Sequence, residues 1–178
     1  MKIVVISSSP HKHGTSARLV SEFIRGAEEV GHEVYRFDAA FEDVHPCIAC
    51  NQCYTKGEGC VFKDSMETLN PQLFDCDLIA FATPIYYYNM NSQLRTVIDR
   101  FYANNAKLAG TKQSVLMMTC EDDTTESVDG PMVSYKNMIK YLQWEDRGII
   151  AALNCEDLEA MEKTDYPEQA YALGKSLR

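Results

Sequence analysis

Basic residues are scarce in this sequence. Its 178 residues include 17 Lys and Arg against 26 Asp and Glu, which gives a formal net charge of −9. A surface of this sign repels the phosphates of nucleic acids and of anionic lipids, so we expect neither nucleic acid nor a membrane as a partner. Long hydrophobic runs are lacking as well, since none approaches the roughly 18 residues of a membrane-spanning helix.

The N-terminus lacks the features of a secretory signal, and the cysteines lack those of a disulfide framework. The first ten residues hold one basic residue and are typical of a buried strand. The cysteine count is seven, an odd number. We therefore expect a protein of the reducing cytoplasm. Cys76, Cys120 and Cys155 stand at or near the ends of apolar runs and are expected to be small buried hydrophobes.

Short apolar runs alternate with segments of helical periodicity along the whole chain. Four of the five runs are nearly continuous in apolar residues, which is typical of strands covered on both faces of a parallel sheet. The second run is more polar and suits an edge. The predicted strands are 2–7, 33–38, 77–83, 114–120 and 148–154. We expect one α/β domain over residues 1–178, built as a three-layer, doubly wound, five-stranded parallel sheet.

The intervening segments predict the helices. Apolar residues at helical spacing place helices at 16–30 and 92–103, one that begins around 129–131 and runs to about 142, and a last one that begins near Thr164 or Asp165. In the segment 64–74, Pro71 is expected to break a long helix, and Asn70 could cap a second short one.

The loop after the first strand, SSSPHKHGTS at 7–16, combines five hydroxyls with a glycine just before the first helix. The unsatisfied N–H groups of a helix N-terminus favour a phosphate there. The loop is not a dinucleotide G-x-G-x-x-G, and it is not a triphosphate P-loop, because Ser9 and Thr15 replace the required Gly and Lys. It therefore indicates either a mononucleotide phosphate site or an ordinary hydroxyl-capped helix.

The loop after the third strand, TPIYYYNM at 83–90, places three tyrosines behind Pro84, which we expect to end that strand's ladder. A planar ring could lie against such a loop, with aromatic or apolar side chains on its faces. The alternative is a tyrosine-rich turn at a subunit contact. Both interpretations hold together if a cofactor lies at a dimer interface.

With both loops in place, the chain resembles the flavodoxin-like family of NAD(P)H-dependent FMN reductases over nearly its whole length. The resemblance rests on residues 8–16, on Thr-Pro-Ile-Tyr-Tyr at 83–87, on Asp99-Arg100, and on AYALGKSL in the last helix. It implies the strand order 2-1-3-4-5 and noncovalently bound FMN. Two departures are Ser8, in place of the first glycine of the family's loop, and His11, in place of its arginine.

The resemblance also implies a set of cofactor-binding residues. Those that would hold the phosphate are Ser9, His11, Thr15 and Ser16. Those that would border the ring are Pro84, Ile85, Tyr86 and Tyr87, with Asn89 and Met90 in the same pocket. The loop after the fourth strand would flank the ring from the other side with Thr119, Cys120, Glu121 and Asp122. The acidic run 121–123 is otherwise expected to be solvated.

Four cysteines lie close together in a loop insertion at about 45–63. Cys47, Cys50, Cys53 and Cys60 have the spacing C-x2-C-x2-C-x6-C. The first three match the tight run of bacterial ferredoxins that wraps a [4Fe–4S] cluster. Zinc, free thiols and a redox-labile disulfide are the alternatives, and zinc is less natural because its ligands usually come in two separated pairs. Within the family that the chain resembles, the iron–sulfur flavoprotein branch carries a motif that this spacing satisfies.

The resemblance implies an FMN-dependent oxidoreductase that passes electrons from NAD(P)H to a quinone, a flavin or another small-molecule acceptor. It names no acid–base catalytic residue. One alternative is an iron–sulfur flavoprotein electron carrier fed by ferredoxin. A second is a cofactor-free interaction or regulatory module. A homodimer or homotetramer is expected.

Overall fold

The chain forms one parallel sheet with helices on both faces. A computed structural model describes residues 1–57 and 59–178. The strands are β1 (Lys2–Ser7), β2 (Glu33–Asp38), β3 (Leu78–Tyr86), β4 (Asn89–Met90), β5 (Gln113–Thr119) and β6 (Glu145–Ala152). Their order is β2-β1-β3-β5-β6, with β4 antiparallel against the end of β3. The predicted fold class and the order of the five parallel strands are confirmed, and the polar strand β2 lies at an edge. β4 is an addition that was not predicted.

Helices cover both faces of the sheet. They are α1 (Thr15–Glu29), α2 (Gln52–Thr55), α3 (Met66–Asp75), α4 (Ser92–Asp99), a 3-10 helix (Arg100–Asn104), α5 (Asn105–Leu108), α6 (Glu126–Leu142), α7 (Leu158–Met161) and α8 (Tyr166–Ser176). Buried residues of α1 and α8 pack on one face, and those of α3, α4 and α6 pack on the other. Within the described part of the chain, no helix has the combined length and apolar character of a membrane span.

The parallel ladder of β3 ends at Pro84, as expected, but the predicted end of the strand at residue 83 is wrong. Pro84 is still in register with Thr119 of β5. The strand then continues through Ile85 and Tyr86, which pair with β4 in a hairpin. The short antiparallel partner is the reason, because it supplies pairing beyond the point where the parallel ladder ends.

The expected effects of two other prolines are wrong. Pro71 lies inside the single helix α3, and Pro131 lies inside α6, which begins at Glu126 and not at 129–131. Each proline is the sixth residue of its helix and removes one intrahelical hydrogen bond. Burial of apolar residues on the same helix, such as Leu69 and Leu73 at 0% exposure, offsets that loss.

Two glycines allow α1 and α8 to cross in direct backbone contact. A Cβ atom on Gly26 would lie 2.1 Å from the carbonyl oxygen of Tyr171, and one on Gly174 would lie 2.2 Å from that of Phe23. Real Cβ atoms do not approach a carbonyl oxygen this closely, so neither position accepts a larger residue without moving a helix. The crossing fixes α1, whose N-terminus faces the candidate site described below.

The cysteine-bearing segment between β2 and α3 is closed at its base by a buried ion pair. The guanidinium of Arg100 contacts the carboxylate of Asp64, with side-chain exposures of 2% and 0%. Arg100 Nη1 also donates to the carbonyl of His45 at 2.8 Å, and Asp64 accepts from the His45 amide at 3.0 Å. The two ends of the segment, at residues 45 and 64, are therefore joined through one arginine.

Asp64 remains ionised in this site. Burial alone would raise its pKa, but hydrogen bonds from Arg100 and from the backbone amides of His45 and Met66 hold the pKa below the ordinary 3.8. The resulting stabilisation is fully present above pH 3.8 and is lost as the pH falls through the lower folded-state value.

We expect Gly174→Ala to destabilise the protein by about 2 kcal/mol, because overpacking forces α8 away from α1. Urea denaturation measures the change. Ala172→Ser adds one heavy atom to the exposed face of the same helix and should leave the midpoint nearly unchanged. Equal midpoints for Gly174→Ala and wild type would show that the helices are not in backbone contact.

We expect Asp64→Asn to destabilise the protein by about 3 kcal/mol at pH 7, because it leaves the Arg100 charge buried without its partner. The free energy of unfolding from a urea titration tests this. Asp75→Asn is the control, because it removes the partner of Lys2 in an exposed ion pair and should have little effect. If both variants unfold at the same urea concentration, the Asp64–Arg100 pair is not the closure of the segment.

Candidate functional site

The loops that follow β1, β3, β5 and β6 meet beyond the C-terminal ends of the strands, because these strands are parallel. They enclose a cavity of about 720 Å³. Nine of the predicted cofactor-site residues line it: Ser9, His11, Thr15, Ser16, Pro84, Ile85, Tyr86, Thr119 and Glu121. The predicted phosphate loop and the predicted ring loop therefore share a single cavity.

The remaining predicted residues lie outside this cavity. Tyr87 and Cys120 line a neighbouring cavity of about 590 Å³, which shares Ile85, Glu121 and Glu156 with the first. Asn89 lines neither cavity. Its side-chain oxygen accepts the amide of Met90 at 2.9 Å, and Met90 itself is buried in the hydrophobic core.

The N-terminus of α1 opens into the larger cavity without a side-chain cap. Its N-cap residue is Gly14, whereas Asn91 caps α4 and Asp157 caps α7 through side-chain oxygens. The backbone N–H groups in the first turn of α1 are therefore available to donate hydrogen bonds to an anion. A Cβ atom on Gly14 would lie 2.9 Å from Cβ of His11, so the glycine permits the tight loop before the helix.

The serines of the first loop mainly fix its shape. The Ser8 hydroxyl donates to the carbonyl of Ala82 at 2.9 Å, and Ser9 Oγ accepts the amide of His11 at 3.2 Å. Ser16 Oγ lies 2.7 Å from Thr119 Oγ1, which ties α1 to the end of β5. Ser8 is thus tolerated in place of glycine because its side chain is buried and hydrogen-bonded.

Asn91 links the two halves of the cavity wall and was not predicted as a site residue. Its Nδ2 donates to the carbonyl of Ser8 at 2.7 Å, and its Oδ1 accepts the amide of Leu94 at 3.3 Å. Its own amide donates to Thr83 Oγ1 at 3.2 Å. An asparagine before an apolar-periodic helix is an N-cap signal, so the capping role was detectable in the sequence, but the contact with Ser8 was not.

The turn between β3 and β4 holds Tyr87 and Tyr88 in the left-handed region, with φ of 48° and 61°. This conformation suits a two-residue hairpin turn, but it is uncommon for residues with bulky side chains and costs free energy. Tyr87 is fully exposed, and Tyr86 is 45% exposed. The turn therefore presents aromatic rings beside both cavities.

Acidic residues form the other walls. Glu121 and Glu156 line both cavities, and Asp157 lines the larger one. Asp122 lines the smaller one, where hydrogen bonds from Ser127 and then from Thr124 lower its pKa. The loop after β6 supplies residues 156–157, whose acidic side chains were not predicted as site residues.

All four clustered cysteines, Cys47, Cys50, Cys53 and Cys60, line one small cavity of about 20 Å³. They are free thiols; the first two are exposed and the other two are half-buried. This donor set fits a thiolate-bound group in its chemistry. In residues 1–57 and 59–178, however, no three His, Cys, Asp or Glu side chains are gathered closely enough to hold a metal ion. Binding a metal group would therefore require the loop to draw its thiols together.

The backbone of this cysteine loop is strained. Ala49 and Asn51 have φ of 53° and 57°, and Gly57 and Gly59 are also left-handed. A left-handed conformation costs a non-glycine residue roughly 1–2 kcal/mol. Such strain is concentrated at functional sites, so its presence between the cysteines points to a role for the loop beyond connecting β2 to α3.

Comparisons with known proteins agree with this architecture. An iron–sulfur flavoprotein of Archaeoglobus fulgidus is 31% identical over 134 residues, which cover 74% of this chain and 60% of that protein. An NAD(P)H:quinone oxidoreductase from Methanothermobacter marburgensis superposes with a TM-score of 0.73 at 14% identity, covering 98% of this chain and 96% of that one. An FMN-dependent NADH-azoreductase from Bacillus anthracis, solved in complex with FMN, superposes with a TM-score of 0.67 at 13% identity, covering 98% and 96%.

A family profile gives the assignment. The profile of the NADPH-dependent FMN reductases matches residues 1–127, a span that includes the uncapped α1 N-terminus, the cysteine loop and the tyrosine hairpin. This match extends over more than half of the sequence. The chain therefore belongs to the NADPH-dependent FMN reductase family, a family of oxidoreductases.

Proposed function

We propose that this protein binds FMN in the 720 Å³ cavity and passes electrons from NAD(P)H to a small-molecule acceptor such as a quinone or a free flavin. When bound, FMN supplies the redox chemistry, and the protein supplies binding, orientation and electrostatics. The observation that supports this most directly is the uncapped N-terminus of α1, which opens into a cavity bordered by the predicted ring loop. Family membership and the FMN complex of the similar azoreductase support the same proposal.

The first loop would bind the phosphate. Donors from the first-turn amides of α1, the Thr15 hydroxyl and the His11 ring line the cavity together. Ser16 holds this region against Thr119, and Asn91 holds it against the ring loop. Carboxylates on the other walls repel an anion, so they direct the phosphate toward α1 and thereby fix the orientation of the ligand.

The third loop would border the flavin ring. Pro84, Ile85 and Tyr86 line the larger cavity with apolar and aromatic surface, which excludes water from one side of a planar ring. Tyr87 lies exposed at the mouth of the adjoining cavity. A donor or acceptor can therefore approach from that side, and a second copy of the chain can cover the same tyrosines in a homodimer or homotetramer.

A second candidate function is that of an iron–sulfur flavoprotein electron carrier. The favouring observation is that Cys47, Cys50, Cys53 and Cys60 border one cavity, on a loop with a strained backbone. The similar protein of A. fulgidus is named an iron–sulfur flavoprotein, and the match covers 60% of its length. In this case a [4Fe–4S] cluster would be ligated by the four cysteines, and ferredoxin is a candidate electron donor. A cytoplasmic location keeps such thiols reduced.

We expect Thr15→Asp to weaken FMN binding at least tenfold, which corresponds to about 1.4 kcal/mol, because the new carboxylate repels the phosphate. Quenching of FMN fluorescence measures the dissociation constant. Thr15→Asn is the matched neutral control and should bind FMN nearly as well as wild type.

Measuring riboflavin affinity in the same variants shows whether Thr15→Asp acts on the phosphate or on the rest of the ligand. It lacks the phosphate, so its affinity should change little in Thr15→Asp. If Thr15→Asp weakens the binding of FMN and riboflavin equally, the phosphate does not bind at the N-terminus of α1. Failure of the wild-type protein to bind either flavin would overturn the FMN proposal and leave the cofactor-free module.

We expect anaerobically purified and reconstituted protein to hold about four iron atoms and four sulfides per chain if the carrier proposal is correct. Cys53→Ser should lose most of this iron, because it removes one ligand. Cys76→Ser alters a cysteine buried elsewhere in the core and should retain the iron. Iron and sulfide analysis decides, and flavin uptake without iron would reject the carrier while leaving the reductase.

A further inference from the structure

Arg100 borders the four-cysteine cavity. It follows α4 directly, at the first position of the 3-10 helix, and only 3% of the residue is exposed. The same cavity is lined by Cys47, Cys50, Cys53 and Cys60. A guanidinium group therefore lies in the wall of a cavity that four thiols also line.

The donors of this guanidinium are only partly used. Nη1 donates to His45 and to Asp64, and Nη2 donates to Asp64 Oδ1 at 3.2 Å. The Phe62 ring lies 5.3 Å from the guanidinium carbon. The buried Nε–H has no hydrogen-bond partner among the described residues. Leaving a buried donor unpaired costs free energy, and most of all for a charged group, so a partner at this position would be strongly favoured.

The cysteines that line the cavity can supply the hydrogen-bond acceptor that Nε–H lacks. A thiolate sulfur accepts hydrogen bonds, and four thiolates around a divalent metal ion or an iron–sulfur cluster leave the group with net negative charge. Asp64 already neutralises part of the arginine charge, so the remaining attraction is directional and acts through Nε–H. Hydrogen bonds to the sulfurs are among the features that set the reduction potential of such groups.

We propose that Arg100 donates a hydrogen bond from Nε–H to a sulfur of a thiolate-bound metal group held by Cys47, Cys50, Cys53 and Cys60. This inference rests on the second candidate function, in which the cysteine loop takes up a metal group. Arg100 then has two roles. It closes the base of the loop through Asp64 and His45, and it contacts the group that the loop encloses.

Lysine cannot fill both roles. Arginine presents its donors in a rigid planar fork, so Nη1 and Nη2 can hold Asp64 while Nε points elsewhere. A lysine ammonium retains the positive charge and can still pair with Asp64, but it has no equivalent of Nε–H. The substitution Arg100→Lys therefore removes the proposed contact and preserves the charge.

A titration with Cd²⁺, whose thiolate complexes absorb in the ultraviolet, tests the proposal on the reduced full-length protein. We expect Arg100→Lys to bind Cd²⁺ at least tenfold more weakly than wild type, at the same stoichiometry, because it loses a hydrogen bond to a charged group. Arg95→Lys is the control. Arg95 is 40% exposed and pairs with Asp99 on the surface of α4, so its replacement should leave the affinity unchanged.

A measurement on the wild-type protein separates this contact from a purely structural role and remains decisive if Arg100→Lys does not fold. In isotope-labelled protein, the Arg100 Hε resonance should shift and exchange more slowly with solvent when Cd²⁺ is added. A weaker affinity of Arg100→Lys with an unmoved Hε resonance in wild type would overturn the proposal. Binding of Cd²⁺ by wild type with an equal affinity in Arg100→Lys would also overturn it and leave the metal site intact. Absence of Cd²⁺ binding by wild type would overturn both and leave the FMN proposal untouched.

Discussion

The parallel pairing of β1 with β3 brings the two halves of the candidate cofactor site together. The two strands align from Ile3 with Leu78 to Ser7 with Ala82, and the pairing continues one residue further through the amide of Ser8 and the carbonyl of Ala82. Both strands are buried on both faces, so slipping the register by one residue would misalign the chain ends on which the site is built. The hydroxyl of Ser8 and the side-chain amide of Asn91 stabilise this alignment at the point where the strands end and the loops begin.

The features that depended on local patterns could be predicted. Continuous apolar runs located the five parallel strands, and hydroxyls followed by Gly14 located the loop at α1. The errors occurred where distant packing outweighed local preference. Pro71 and Pro131 remain inside helices because the rest of each helix is packed against the core, and the third strand continues past residue 83 to Tyr86 because β4 supplies a new partner. None of these partners is visible from the neighbouring residues alone.

The contacts that organise the two candidate sites could not be predicted from the sequence for a similar reason. Asn91 reaches Ser8 across 83 positions, and Arg100 reaches His45 across 55. A single sequence marks Asn91 as a helix cap and Arg100 as part of a resemblance motif, but not which group each one contacts. The cysteine spacing, in contrast, was informative by itself, because four thiols within fourteen residues can be brought together by one local loop without any distant part of the chain.

Helix α4 joins these two regions. Asn91 caps its start beside the larger cavity, and Arg100 follows its end beside the cysteines. Its eight residues, from Ser92 to Asp99, span about 12 Å along the axis. Both flanking residues are buried and hydrogen-bonded, so the helix holds the two regions at a fixed distance. The spacing between the wall of the larger cavity and the wall that carries the cysteines is consequently set by one secondary-structure element, and inserting or deleting a single residue in it would rotate one wall by about 100° relative to the other.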